Sequence, residues 1–288
     1  MVGSLGVAPV ASIGRWKCLI LADFVVITGS LMTFSGTLHV LYLGRFLYGV
    51  SSGAFGVFCS KYITEASPIE IRGSTGALMQ LSVVFGIMLP FVIGLMQASH
   101  LKLEDMNEEE VWTFIWIVFT IPIVISLLQL GLLLTVFRYD TPNFLVQNGD
   151  DAKLRQLFEH IYHADVVEER IVNIKEDLKP DSGDVHESVS YYDVCFGARY
   201  RRATALGVGI ACFQQTTGTN IQNFYSNQIF KGMAVSSEII TGAIGIINFI
   251  AVSICLVLLH YLGRRTLMLW GFFVMAFALC FAGLFSLM

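Results

Sequence analysis

The side chains best suited to handle a solute lie together in Phe213-Gln214-Gln215-Thr216-Thr217-Gly218-Thr219-Asn220-Ile221-Gln222-Asn223-Phe224-Tyr225-Ser226-Asn227-Gln228. The stretch is dense in amides and hydroxyls and carries no charge. An amide presents donors and acceptors side by side. That chemistry suits a neutral, polyhydroxylated solute better than an ion. The stretch continues the apolar run 203–213, which reads as the start of a membrane helix. In hydrocarbon each unsatisfied polar group costs roughly several kcal/mol, so these groups must face a protein interior or a wet cavity.

The housing of that stretch is a membrane protein. Of the 288 residues 55% are hydrophobic and 14% charged, and mean hydropathy is +0.67. A soluble domain has about 25% charged residues. The net charge of −4 gives no reason to expect a nucleic-acid partner. Cys18, Cys59, Cys212, Cys255 and Cys280 sit in or beside apolar runs, Cys195 does not, and none forms a CxxC pair. They read as small buried hydrophobes. No nucleophile–base pair, metal cluster or phosphate loop is present, so neither an enzyme nor a cofactor or metal site is expected. His160, His163 and His186 read as solvated.

Apolar runs of about 20 residues, enough to span a bilayer, fall at roughly 18–37, 38–60, 74–98, 112–137, 203–229, 238–262 and 266–288. With the loop at Arg15 and Lys17 placed in the cytoplasm, only Arg45, Lys102 and Lys231 of the 18 Lys and Arg fall on the other side. That asymmetry sets the orientation. Residues 138–202 form the one sizeable soluble segment. Asp140 or Thr141 is expected to cap a helix with Pro142 at its first position. Amphipathic helices are expected at 151–160 and 166–178, with Leu154, Leu157, Phe158 and Ile161 at helical spacing. Gly14-Arg15-Trp16-Lys17 and Gly263-Arg264-Arg265-Thr266 both stand where one apolar segment ends and another begins. A repeat about a central loop is a common transporter organisation.

Six stretches, in this order and spacing, carry a resemblance. They are Leu43-Gly44-Arg45-Phe46-Leu47-Tyr48-Gly49; Tyr62-Ile63-Thr64-Glu65-Ala66-Ser67-Pro68; Ile71-Arg72-Gly73-Ser74 with Gln80; Asp140-Thr141-Pro142-Asn143-Phe144-Leu145; Gln214 to Asn220; and Leu262-Gly263-Arg264-Arg265. The chain resembles the sugar porter, or glucose-transporter-like, family of the major facilitator superfamily over essentially its whole length. The resemblance implies an all-α, polytopic membrane fold with six helices in each of two lobes. Residues 1–12 match the end of helix two, and the seven runs match helices three to nine. Helix one and helices ten to twelve have no counterpart, so a chain incomplete at both ends is expected. The implied units are an N-terminal transmembrane lobe at 1–137, a cytoplasmic helical linker at 138–202, and part of a C-terminal lobe at 203–288. The implied activity is transport of a hexose-type monosaccharide across the bilayer by alternating access, as a facilitator or a proton symporter. The family's proton-coupling acid lies on helix one. A non-transporting sugar sensor or an inactive truncated paralogue is the alternative.

Carried onto this sequence, the resemblance makes Gln214, Gln215 and Asn220 sugar ligands, joined by Gln80 and Asn248. Gln80 is the only amide in the run 77–91 and Asn248 the only one in 243–252. Taken alone, each is equally an interhelical hydrogen-bonding group. Gly218 would let its helix break, or pack closely on a neighbour. Phe224 and Tyr225 match aromatics that gate the outer side of the site, or pack in the core. Arg15, Glu65, Arg72, Arg264 and Arg265 match a cytoplasmic salt-bridge latch, whose coupling of a few kcal/mol would bias two conformations. Arg45 matches an arginine at the outer end of helix four.

This chain departs from the pattern where Ala11 and His260 replace the acids expected three positions before Gly14 and Gly263. Asn143 replaces an arginine, and Lys61 occupies a usually neutral position. With an ordinary pKa near 6.5, His260 is suited to act as a pH-sensitive latch member. His260→Asn is therefore expected to flatten any pH dependence of sugar uptake; an unchanged pH profile contradicts that role.

Overall fold

A computed structural model describes residues 2–6, 10–68, 71–100, 108–178, 197, 200–218, 220, 225, 228 and 237–286. The expected apolar runs become helices with boundaries close to those read from hydropathy. In chain order they are α1 (Val2–Leu5), α2 (Arg15–Thr33), α3 (Leu38–Ala66), α4 (Arg72–His100) and α5 (Glu108–Thr135). The soluble segment supplies α6 (Pro142–Gln147), α7 (Asp151–Ile161) and α8 (Ala164–Asp177). Then come α9 (Arg201–Thr216), α10 (Ser237–Leu262) and α11 (Arg264–Ser286).

Among the described residues, four stretches are long and apolar enough to cross a membrane on their own. They are Arg15–Thr33, Arg72–Leu95, Ile115–Thr135 and Ile239–Leu259, with the shorter apolar helix Arg265–Phe281 beside them. The expected span 38–60 is not among them, because α3 carries His39, Arg45, Ser51, Ser52 and Ser60 inside its apolar run. The expected span 203–229 lies partly outside the described residues; its described part forms α9 up to Thr216. Large apolar side chains point outward all along the bundle, among them Leu21, Phe24, Leu128, Phe213 and Phe277, each more than half exposed. In hydrocarbon such a surface carries no penalty.

Helix α2 is the centre of the N-terminal packing. Cys18, Leu19, Ala22, Val26, Gly29, Ser30 and Thr33 recur at spacings of three and four and form its buried stripe. The stripe meets α3 and α5. Against α3 the approach is backbone to backbone. A Cβ on Gly29 would stand 2.8 Å from the Gly44 carbonyl oxygen, and one on Gly44 would stand 2.6 Å from that of Gly29. Lipid gives no hydrophobic push between helices, so close contact at small residues is what holds them. The Ser51 hydroxyl donates to the Ala22 carbonyl at 2.7 Å. Helix α1 lies equally close to α3, where a Cβ on Gly3 would overlap the Val50 carbonyl.

The second contact system joins α4 to α10. Gly242 faces Leu95, Gly245 faces Phe91, and the rings of Phe85 and Phe249 are 5.8 Å apart. Positions descend on α4 as they rise on α10, so the two helices run antiparallel.

Helices α6 to α8 close over their own small core of Leu145, Leu154, Phe158 and Val167. Leu157 is half-buried and Ile161 exposed, so two of the four expected apolar positions point fully inward. Arg155 pairs with Glu168, and Lys175 with Asp151 at 2.8 Å, tying α7 to α8.

Replacing Gly29 by leucine should push α2 and α3 apart at a cost of about 1–3 kcal/mol, read as a lower thermal unfolding midpoint of the purified protein. Gly56→Ala, with nothing within 4 Å of the added carbon, should change little.

Candidate functional site

The polar run opens where α9 stops. Gln214 and Gln215 occupy its last turn, and Gly218 at φ +80° takes the chain out of the helix. A left-handed φ is open to glycine without strain, so the break falls where the sequence allows it. Beyond the break, Asn220, Tyr225 and Gln228 have helical backbone. The Asn220 side-chain amide donates to the Gln215 side-chain oxygen at 2.7 Å. The Thr216 and Thr217 hydroxyls return to the carbonyls of Phe213 and Gln214. Gln214, Gln215, Asn220 and Tyr225 are exposed. Phe224 lies outside the described residues.

Gln80 on α4 is exposed and Asn248 on α10 is half-buried. Because Phe85 meets Phe249, Asn248 lies near the level of Phe85, and Gln80 lies roughly 7 Å further along the helix at 1.5 Å per residue. Among the described residues no hydrogen bond joins either of them to Gln214, Gln215 or Asn220. The structure therefore assembles Gln215 with Asn220 directly, and holds Gln80 and Asn248 on two helices in contact with each other.

At the basic end of the bundle the residues expected to form a latch separate into two groups. Arg15 donates from Nη2 to Glu65 Oε1 at 3.2 Å, with both side chains about 15% exposed. Arg15 Nε and Glu65 Oε2 are buried without a partner. Arg72 is exposed and lines, with Glu65, Asn143, Tyr162 and Arg170, a cavity of about 230 Å³ between the α3–α4 connection and helices α6 to α8. Arg265, at the start of α11, is exposed and makes no ion pair among the described residues. The Arg264 and His260 side chains lie outside the described residues.

Asp140 departs from the local expectation that Asp140 or Thr141 caps α6. Thr141 does take the N-cap position with Pro142 behind it, but without a side-chain cap bond. The Asp140 carboxylate turns away and caps α2 instead. Its Oδ1 accepts from the backbone N–H of Arg15 at 3.0 Å, of Trp16 at 3.3 Å and of Thr141 at 2.8 Å. A carboxylate at a helix N-terminus satisfies otherwise unpaired N–H groups and complements the helix dipole. Gly14 makes the approach possible. Its φ is +111°, and a Cβ there would lie 2.2 Å from Asp140 Oδ2. Trp16 Nε1 donates to the Leu133 carbonyl, and the Tyr62 hydroxyl to that of Tyr139. The Gly14-Arg15 motif, the Glu65 end of α3 and the start of the soluble segment thus form one connected assembly.

One more polar residue lacked any role in the sequence reading. Asp23 is fully enclosed within α2. The available signal was an acid inside an apolar run, whereas Glu238 stands only at the edge of one.

The order and packing of the helices are those of the major facilitator fold, and the protein is an integral, multi-pass membrane protein. The xylose transporter XylE of E. coli, in a partially occluded inward-open conformation, superposes with a TM-score of 0.71 over 91% of this chain and 60% of its own, at 18% identity. Residues 1–288 match the family described as "Sugar (and other) transporter", and the chain belongs to that family. Relatives include "Hexose transporter 1" of Plasmodium falciparum, 28% identical over 89% of this chain and 52% of its own length. The "Probable plastidic glucose transporter 2" of Arabidopsis thaliana is 30% identical over 96% of this chain and 54% of its own length. The chain thus spans about half the length of these relatives.

Glu65→Ala would leave the Arg15 guanidinium half-buried and unpaired. It should lower stability by about 1–3 kcal/mol, measured as a fall in the thermal unfolding midpoint. Glu65→Gln, which keeps an acceptor, should cost less.

Proposed function

We propose that this chain carries the solute-handling part of a membrane transporter for a neutral hexose-type monosaccharide. The observation that carries the reading is the Gln215–Asn220 amide pair, set at a glycine break in a helix of a chain that belongs to the sugar-transporter family. The relatives are named as hexose and glucose transporters, and one XylE structure is described as a proton:xylose symporter bound to 6-bromo-6-deoxy-D-glucose.

In this reading Gln215 and Asn220 exchange their mutual hydrogen bond for sugar hydroxyls, and Gln214 binds beside them. The Asn220–Gln215 bond orients both amides before the sugar arrives, which reduces the ordering cost of binding. Gln80 and Asn248 approach from α4 and α10, and Tyr225 contributes an aromatic face beyond the break. Residues 1–137 and 203–288 belong to two lobes, joined by the segment 138–202. The lobes touch along α4 and α10, where Gly242 and Gly245 allow close contact. Arg15, Glu65 and Arg72 on one side, with Arg264 and Arg265 on the other, latch the cytoplasmic end. The unpaired Arg15 Nε and Glu65 Oε2 are the groups left for partners across that latch. Breaking it opens the site inward. XylE is described as a proton symporter and the hexose and glucose transporters are named without a coupling ion, so both facilitated and proton-coupled transport stay within this reading.

Binding of a radiolabelled hexose to the purified chain in lipid nanodiscs tests the assignment. Gln214→Leu and Gln215→Leu should each weaken binding roughly tenfold or more, since an unpaired polar partner costs about 1–3 kcal/mol. Membrane insertion and helix content should be retained. Unaltered hexose binding by both variants would rule the site out.

A further inference from the structure

The proposed transport cycle makes no use of Asp23. It lies six positions inside the apolar run that begins at Cys18, on the face of α2 that packs into the bundle. Its relative exposure is 0%, and neither carboxyl oxygen has a hydrogen-bond partner. The enclosure is made by this chain's own atoms.

Among the described residues no charge pairs with it. On α2 itself Arg15 is committed to Glu65, Lys17 points outward, and the Cys18 thiol donates to the Val10 carbonyl. On α3 the ionisable groups to either side are Arg45, which lies over the Phe119 ring, with Tyr48 and Cys59. Helix α5 has no ionisable group between Glu110 and Arg138. The 3₁₀ turn Ala11–Ile13 has none. None of the described groups pairs with Asp23. The Ser51 hydroxyl donates to the Ala22 carbonyl at 2.7 Å and not to Asp23.

An ionised carboxylate enclosed without a donor or counter-charge is strongly disfavoured, whereas a neutral carboxylic acid is tolerated as any small polar group is. Ionisable residues at membrane depth also tend to mark proton or ion sites rather than packing. We propose that Asp23 is a proton-binding site, holding its proton as the neutral acid while α2 and α3 are packed as seen here. The carboxylate takes the proton from water as the helices close around it, and returns it to water when they part or admit solvent. The ligand is a proton alone, and the proposal does not rest on the sugar-transport reading.

Infrared spectroscopy tests it on the purified chain in nanodiscs, with aspartate carrying carbon-13 at the side-chain carboxyl. Asp23 is the one aspartate within the apolar runs. At neutral pH a protonated-carboxyl C=O band should appear, shift with the label, and vanish in Asp23→Asn. Absence of a labelled protonated band in the wild type would overturn the proposal. Should Asp23→Asn fail to fold, Asp23→Glu serves. The protonated band should then persist but lose its aspartate label shift, and a label shift that survives would place the proton elsewhere. Stability gives a second readout. A site that holds a proton in the folded state and loses it on unfolding makes stability fall as pH rises. The unfolding midpoint of the wild type should therefore drop more steeply than that of Asp23→Asn between mildly acidic and alkaline pH. Equal slopes would contradict the proposal.

Discussion

A bilayer offers no water to a stranded polar group, and this constraint organises the protein. Each polar atom at membrane depth must find a partner inside the chain, meet a wet cavity, or be neutral. Ser51 finds the Ala22 carbonyl, and Thr33 the Gly29 carbonyl one turn behind it. The amides after Phe213 are too many for such local solutions, and the helix itself breaks at Gly218. Asp23 is fully enclosed and neither of its oxygens has a partner, which leaves neutrality.

The same rule explains how the helices associate. Apolar surface confers no advantage to one helix over lipid, so the contacts that matter are close approaches at glycine: backbone to backbone at Gly29 and Gly44, and side chains of Leu95 and Phe91 seated on Gly242 and Gly245. At the basic end, water returns and charges can be used. There the Asp140 carboxylate holds the first N–H groups of α2 across a sequence separation of 125 residues. Arg15, whose N–H it binds, reaches Glu65 with its side chain. Backbone capping and ion pairing thus meet on one residue.

Helix positions were legible in the sequence because hydropathy averages over many residues, and bundle helices differ from loops in that average. The resemblance places Arg15 and Glu65 in one salt-bridge network but does not say that they pair with each other, which the geometry adds. The role of Asp140 was hidden. Locally its Asp-Thr-Pro context reads as a cap for α6, and only the tertiary approach of Gly14, at a φ of +111°, turns it toward α2. Asp23 was hidden for the opposite reason. One acid barely changes the hydropathy of its run, and only its enclosure shows that it is uncompensated. The meeting of Gln215 with Asn220 across the glycine break depends on backbone geometry that residue types alone do not specify.

The central claim is that the amides clustered at the helix break recognise hydroxyls. Equilibrium binding of a hexose and its set of monodeoxy analogues to the chain in nanodiscs tests it most directly. Loss of a recognised hydroxyl leaves an amide unpaired, so at least one deoxy analogue should bind about tenfold or more weakly than the parent sugar. Equal affinity across the whole series, or tighter binding of a charged solute, would contradict the account.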